Sequence, residues 1–302
     1  MRKSKFRRFM DTLFSRKIVM VSFVVVLVFL VMAVLAPLLA PYDPYEQDLM
    51  HTLQGISSEH LFGTDKYGRD ILSRIIYGSR ISLIVGVGSV LIAFVIGSTI
   101  GMIIGYFGGW LDTVVMRITD MMFAIPQVVL ALALAAVLGN GLWNLTFLMS
   151  VGAIPGYIRM LRGQVMAIKE QDFITAGRVI GASPGRLMFF HMLPNGFSPI
   201  LVFMTQSVGG TILGEAGLSF LGLGIDPPTA TWGGLINEGR QYLLTNPVYS
   251  IAPGIFIVLL VMALNIWGMV SGTLWTRVCG DSIRKAKMEE RILEVKNLMY
   301  RF

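Results

Sequence analysis

An all-α integral membrane protein is the fold class that the sequence predicts, on three observations. Hydrophobic residues make up 54% of the 302-residue chain and charged residues 14%, against about 25% charged in a soluble domain. Uncharged stretches recur that can cross a hydrocarbon layer about 30 Å thick as helices. Cys279 is the only cysteine, which excludes an intrachain disulfide or a Cys-based metal cluster and leaves helix packing to hold the fold. The length accommodates roughly six spans of about 20 residues with their loops. The net charge of +7 points to bilayer orientation rather than nucleic acid, because the basic residues cluster beside apolar spans.

The elements follow in order. Residues 1–17 hold seven basic residues against the single acid Asp11. Residues 18–40 carry no charge and form the first span; the run exceeds the apolar core of about 7–15 residues expected of a secretory signal. A second uncharged run, 81–111, predicts one long helix. A third, 121–158, is too long for one span at about 1.5 Å per residue, and Gly139-Asn140-Gly141 marks a turn that splits it. Span three is therefore set at 112–138 and span four at 142–160. Residues 196–213 supply span five and 251–275 span six.

Counting Lys and Arg orients the bundle. Residues 1–17, 159–195 and 276–302 contain seven, five and seven basic residues, whereas 41–80 and 222–250 contain four and one. The excess of cations marks the cytoplasmic side. The chain divides into a basic cytoplasmic N-terminus (1–17), a first transmembrane helix (18–40), an extracytoplasmic loop (41–80), a five-helix core (81–275) with a cytoplasmic loop at 162–195, and a cytoplasmic tail (276–302).

Gly97, Gly101 and Gly105 fall on one helix stripe, where a neighbouring backbone can approach closely. Pro126 and Pro155 each remove a backbone donor and can kink spans three and four. Ionisable residues near the membrane are costly and hence informative. Arg117 and Asp120 lie one turn apart, positioned to pair with each other. Glu215 follows span five. These three are candidate gating or pathway residues, and an interfacial, snorkelling or paired charge is the competing reading.

The polar stretch between spans four and five reads as a short water-facing helix against a partner. Asp172 is placed to cap it, Ala176 and Gly177 keep one face small, and Gly181 is suited to a left-handed end. Pro194 marks entry into the next helix. No phosphate-cradling Gly-Lys-Ser/Thr, Gly-x-Ser-x-Gly elbow or His-Glu-x-x-His pair occurs, so no active site or nucleotide site is visible. His51 and His60 could meet at a metal only if their loop brought them together.

The same stretch resembles the cytoplasmic loop of binding-protein-dependent ABC importer permeases, whose pattern is Glu-Ala-Ala, three residues, Gly, nine residues, Ile-x-Leu-Pro. Thr175-Ala176-Gly177, Gly181 and Leu193-Pro194 stand at the matching positions. Thr175 replaces the family's acid, so its ionic contact is either missing or supplied by Glu170 or Asp172. Two further blocks are similar to the C-type permease of the dipeptide, oligopeptide and nickel subfamily. One runs from Gly63-Thr64-Asp65 through Gly68-Arg69-Asp70 to Ser82-Leu83. The other runs from Glu215-Ala216-Gly217 to Gly222-Leu223-Gly224, with Asp226-Pro227-Pro228 and Trp232-Gly233 after it. The usual Gly-Asp-x-Leu-Arg-Asp ending is displaced, with Gly280-Asp281-Ser282-Ile283-Arg284 as its nearest echo.

The resemblance implies six transmembrane helices with cytoplasmic termini in the type I ABC importer permease fold, in a bacterial inner membrane. It implies a second homologous permease subunit, two cytoplasmic ABC ATPase subunits that carry ATP and Mg, and an extracytoplasmic substrate-binding protein. No cofactor is expected on this chain, and nothing is hydrolysed by it. Glu170, Asp172, Thr175, Ala176, Gly177, Gly181, Leu193 and Pro194 are the implied ATPase-coupling residues. Peptides are the implied cargo, with nickel or another small solute as the alternative within the subfamily. An ion-gradient-driven carrier or channel predicts polar relays at mid-membrane and internal repeats, neither of which is evident. A membrane scaffold for a soluble enzyme has no need of kinked spans.

Overall fold

The computed structural model describes residues 17–272. Residues 1–16 and 273–302, with most of the N-terminal basic cluster, the whole tail and the end of span six, lie outside them. Among the described residues the fold is all-helical. The helices are α1 (Lys17–Val34), α2 (Ala36–Leu39), α3 (Ile71–Phe107), α4 (Gly109–Ala124), α5 (Gln127–Leu138), α6 (Leu142–Lys169), α7 (Asp172–Val179), α8 (Phe197–Phe220) and α9 (Trp232–Gly239). A last helix, α10, spans Val248–Gly272. Between α7 and α8 lie a turn at Pro184–Arg186, a π-helix at Leu187–Met192 and a turn at Leu193–Asn195.

Four of these, α1, α3, α8 and α10, are long and apolar enough to cross a membrane, and α4 with α5 makes a fifth if the bent pair is one span. The span set at 112–138, with its expected kink at Pro126, is two helices in the structure: α4 and α5 meet at 91°. Ile125, held extended by the proline that follows it, and Pro126, which has no N–H to donate, make the break. Residues 142–169 form one helix of 28 residues with Pro155 inside it, ending nine residues beyond the predicted span at 142–160.

Helix α3 starts at Ile71, ten residues before the predicted start at 81. Asp70 caps it, its carboxylate accepting from the Ser73 N–H at 2.7 Å and from the Ser73 hydroxyl at 2.7 Å. At 37 residues it is about 55 Å long, so it outreaches a hydrocarbon core of about 30 Å.

Lipid offers no hydrophobic drive for helix association, so contact area and close approach decide. The glycine stripe of α3 supplies that approach to α6. A Cβ on Gly97 would lie 2.6 Å from the Tyr157 Cβ, and one on Gly101 would lie 2.6 Å from the Ile158 carbonyl oxygen. A Cβ on Gly105 would lie 3.0 Å from the Arg162 carbonyl oxygen. Gly101→Val is therefore expected to destabilise the pair by about 1–3 kcal/mol. Size-exclusion chromatography of the solubilised protein after graded heating reads that loss. Gly163→Ala is the control, since nothing lies within 4 Å of the added carbon.

Two apolar cores occupy opposite ends of the bundle. One, around Phe29, Ile71, Ile75, Trp232, Tyr249 and Leu260, joins α1, α3, α9 and α10. The other, around Met102, Leu161, Val165, Ile168, Met188 and Met192, seats α7 through Ile174.

Candidate functional site

Helix α7 is built on a single anchor. Ile174 is completely buried, whereas Phe173, Thr175, Ala176, Val179 and Ile180 are exposed. Its end is closed by a reciprocal pair of backbone bonds: the Ala182 N–H donates to the Gly177 carbonyl at 3.0 Å and the Gly181 N–H to the Arg178 carbonyl at 3.0 Å. Gly181 has φ +82°, a left-handed conformation that glycine adopts without strain. Asp172 is not the cap. Gln171 occupies that position with no side-chain bond, and Asp172 sits in the first turn, where a carboxylate suits the positive end of the helix. Glu170 and Asp172 are both exposed. A Cβ on Gly177 would lie 2.8 Å from the Leu187 Cδ2, so α7 rests closely on the π-helix that leads to Leu193 and Pro194.

Helix α7 also touches the end of α3. The Tyr106 ring lies beneath two cations, with the Arg178 guanidinium carbon 5.3 Å and the Lys169 ammonium 5.8 Å from its centroid. Beside it Arg162 of α6 makes a forked pair with Asp112 of α4, Nη2 to Oδ2 at 2.7 Å. Arg117 and Asp120 do not pair as the one-turn spacing suggested. Asp120 accepts instead from Arg159 of α6 at 2.8 Å, because α6 packs alongside α4 there, and the continuation of α6 past the predicted end at 160 brings Arg162 to Asp112 one turn further on. Arg117 remains exposed on α4. Sequence reading passed over Tyr106, Asp112 and Arg162, since partners fifty or more residues apart leave no local spacing signal.

Glu215 lies well inside the bundle. It sits within α8, which runs to Phe220 rather than ending at 213, and its side chain is completely buried. Its two oxygens accept from the Ser82 hydroxyl of α3 at 3.2 Å and the Ser219 hydroxyl at 2.8 Å. All its partners are hydroxyls, that of Thr231 among them. Helix α9 presses on the next turn, where a Cβ on Gly233 would lie 2.6 Å from the Ala216 Cα. The Trp232 indole N–H donates to the Ile75 carbonyl of α3 at 2.9 Å.

At the end of the bundle away from α7, Asp65, Arg69, Arg74 and Glu238 form a buried ionic cluster. Arg69 Nε donates to Asp65 Oδ2 at 2.6 Å, and Arg69 and Arg74 reach Glu238 Oε2 at 3.2 and 3.1 Å. Arg74 also pairs with Asp65, and the Tyr249 hydroxyl donates to Glu238 at 2.6 Å. Burial alone raises the Glu238 carboxyl, but the Arg74 guanidinium, the Tyr249 hydroxyl and Arg69 overcome it and hold the carboxyl below its usual range. His51 and His60 are engaged separately, by Asp48 at 2.7 Å and Asp70 at 3.0 Å. Among the described residues no group of three His, Cys, Asp or Glu is placed to hold a metal ion.

Against known families, residues 97–274 match the binding-protein-dependent transport system inner membrane component model. The chain belongs to that family. A second model, the N-terminal TM domain of oligopeptide transport permease C, matches residues 4–55 of this permease. The chain is 39% identical over 265 residues to the dipeptide transport system permease protein DppC of Alkalihalophilus pseudofirmus, covering 88% of this chain and 87% of that one. It is 37% identical over 269 residues to the glutathione transport system permease protein GsiD of Pectobacterium atrosepticum, covering 88% and 89%. The permease shares its fold with the inward-facing MetNI methionine ABC transporter, at TM-score 0.57, 20% identity and 68% coverage of this chain against 97% of the other. The fold is that of a type I ABC importer permease, a multi-pass protein of the inner membrane. The carrier, channel and scaffold readings have no support in these matches.

Proposed function

We propose that this permease is one of two homologous membrane subunits that form the translocation path of an ABC transporter importing dipeptides or oligopeptides. It spans the membrane six times, through α1, α3, the bent pair α4 and α5, α6, α8 and α10, with both termini cytoplasmic. Two cytoplasmic ATPases carry ATP and Mg and dock on α7 and its counterpart, and an extracytoplasmic binding protein delivers the peptide. The chain itself is non-catalytic.

The observation that carries this reading is the construction of α7. Only Ile174 is completely buried, with Gly177 close against Leu187, so the helix presents Phe173, Val179 and Ile180 to water, a face that a monomer has no reason to leave uncovered. Thr175 and Ala176 lie in the same exposed stretch, flanked by Glu170 and Asp172, and these two acids supply the ionic contact that Thr175 cannot. The left-handed turn at Gly181 and the return through Leu193 and Pro194 fix the helix against the bundle. Closure of the ATPase pair pushes α7, which transmits displacement through Ile174 and Tyr106 to the tightly packed α3 and α6. The bundle then rocks between its two openings as a rigid body. Glu215 ties α3 to α8 in the gating region, and Arg117 with the Asp120 and Arg159 pair sits on α4 at the α7 end.

The test is ATP-dependent uptake of a labelled dipeptide by proteoliposomes that hold the whole transporter and its binding protein. Nickel uptake without peptide uptake overturns the substrate class. Reaction of Val179→Cys, in a Cys279→Ser background, with an impermeant maleimide from outside intact cells overturns the docking assignment. Thr175→Glu is expected to leave uptake level or raise it. A fall of about tenfold would show a partner surface adapted to threonine.

A further inference from the structure

The end of the bundle away from α7 is assembled from segments far apart in sequence. Asp65 and Arg69 come from the loop before α3, Arg74 from the second turn of α3, Glu238 from α9 and Tyr249 from α10. Asn246 adds a second join, its side-chain amide donating to the carbonyls of Gln54 and Thr64 at 3.3 Å each. The Tyr42 N–H donates to the Ser73 hydroxyl of α3 at 3.1 Å. Loop 41–70 and segment 231–249 are thus fastened to each other and to the start of α3, as one plate.

The fastening is ionic and largely buried, with the Glu238 side chain 14% exposed. Asp65, Arg69 and Arg74 are at most 2% exposed, and the two cations balance the two carboxylates. Buried ion pairs seldom outperform well-packed apolar residues in stability. What they impose is direction, because Arg69 reaches both carboxylates through Nε and Nη2, and Arg74 through Nη1 and Nη2, in one orientation of each planar fork. The element so oriented is α3, which runs without a proline from Ile71 to Phe107. Its far end bears on α7 through Tyr106, and its glycines lock it to α6.

We propose that Glu238, held between Arg69 and Arg74, is a positioning residue that bolts the extracytoplasmic plate to α3, so that plate and strut move as one body through the transport cycle. This deepens the coupling reading above and rests on it. A liganded binding protein seated on the plate then biases α7 without an intervening hinge, and nucleotide at α7 biases the plate in return, since such coupling is reciprocal.

The experiment uses the complete transporter in nanodiscs, in a Cys279→Ser background, with spin labels at Leu244→Cys on the plate and Phe107→Cys at the far end of α3; both native side chains are exposed. The expected result is a single interlabel distance that does not change between the nucleotide-free and ATP-trapped states. Glu238→Gln is expected to broaden or shift that distance, to leave basal ATP hydrolysis intact and to lower its stimulation by liganded binding protein about tenfold. Where Glu238→Gln fails to assemble, Tyr249→Phe decides, since it keeps the ring and removes one hydrogen bond; the same changes in smaller measure support the bolt. A change of about 5 Å, one helical turn, on ATP trapping of the unaltered protein overturns the proposal. So does an unchanged distance with unchanged stimulation in the bolt variant that assembles. A complex that hydrolyses ATP but accumulates no peptide overturns the substrate reading and leaves the bolt standing.

Discussion

Ala176→Trp and Gly177→Phe are both expected to abolish ATP-driven uptake while the protein still inserts, and they do so by different routes. Ala176 is exposed, so a tryptophan there meets nothing in this chain; any loss arises at the partner surface. Gly177 faces inward, where an added Cβ already lies 2.8 Å from the Leu187 Cδ2. A phenylalanine lifts α7 away from the π-helix beneath it. Displacing a working contact by about 1 Å can lower a rate about 100-fold, and α7 is the only helix between α6 and the turn at Pro184–Arg186. Gly181→Leu separates the cap from the face. No atom lies within 4 Å of its added carbon, but φ of +82° imposes about 1–2 kcal/mol on an L side chain. Its uptake should fall less than that of the other two. Normal uptake in Ala176→Trp at unaltered expression removes α7 from the docking surface.

The contrast between these positions shows what the sequence could reveal. Motif spacing is local, so Thr175, Ala176, Gly177, Gly181, Leu193 and Pro194 could be selected from one continuous segment. Uncharged run length is also local, and it located α1, α3, α8 and α10. It misplaced the start of α3 and the end of α8 because it treats each charge as a boundary with water; Arg80, exposed on α3, set the predicted start at 81. Arg74 and Glu215 are charged types that lie inside, satisfied by Asp65 and Glu238 in one case and by Ser82 and Ser219 in the other. Asp65, Glu238 and Ser82 lie 9, 164 and 133 residues from the charge each one satisfies, beyond the reach of a helical or strand period, and only Ser219 stands at helical spacing from its partner, Glu215. The cap at Asp70 was the available signal for the start of α3, since Asp70 and Ser73 stand at cap spacing. The proline at 126 could announce a kink but not its size. A proline removes one backbone bond, whereas a turn of 91° also needs Ile125 to leave the helical region.

Glu215 gives the second large effect. Glu215→Leu removes both acceptors at the junction of α3 and α8, and each buried hydroxyl left without a partner costs about 1–3 kcal/mol. The figure sits towards the low end, because a serine in a helix can turn to a carbonyl of the preceding turn. The expected result is a transporter that assembles poorly and loses heat stability in detergent. Glu215→Gln keeps one acceptor oxygen and gains an amide that can donate to the second serine, so stability should stay close to that of the unaltered protein. Uptake by the glutamine variant then separates two roles that the leucine variant confounds. A carboxyl that only crosslinks α3 to α8 tolerates glutamine in both assays. A carboxyl that takes part in gating loses uptake at undiminished stability. That second outcome is the one expected here, since Glu215 joins the two helices at the foot of α9, next to the plate bolted to α3.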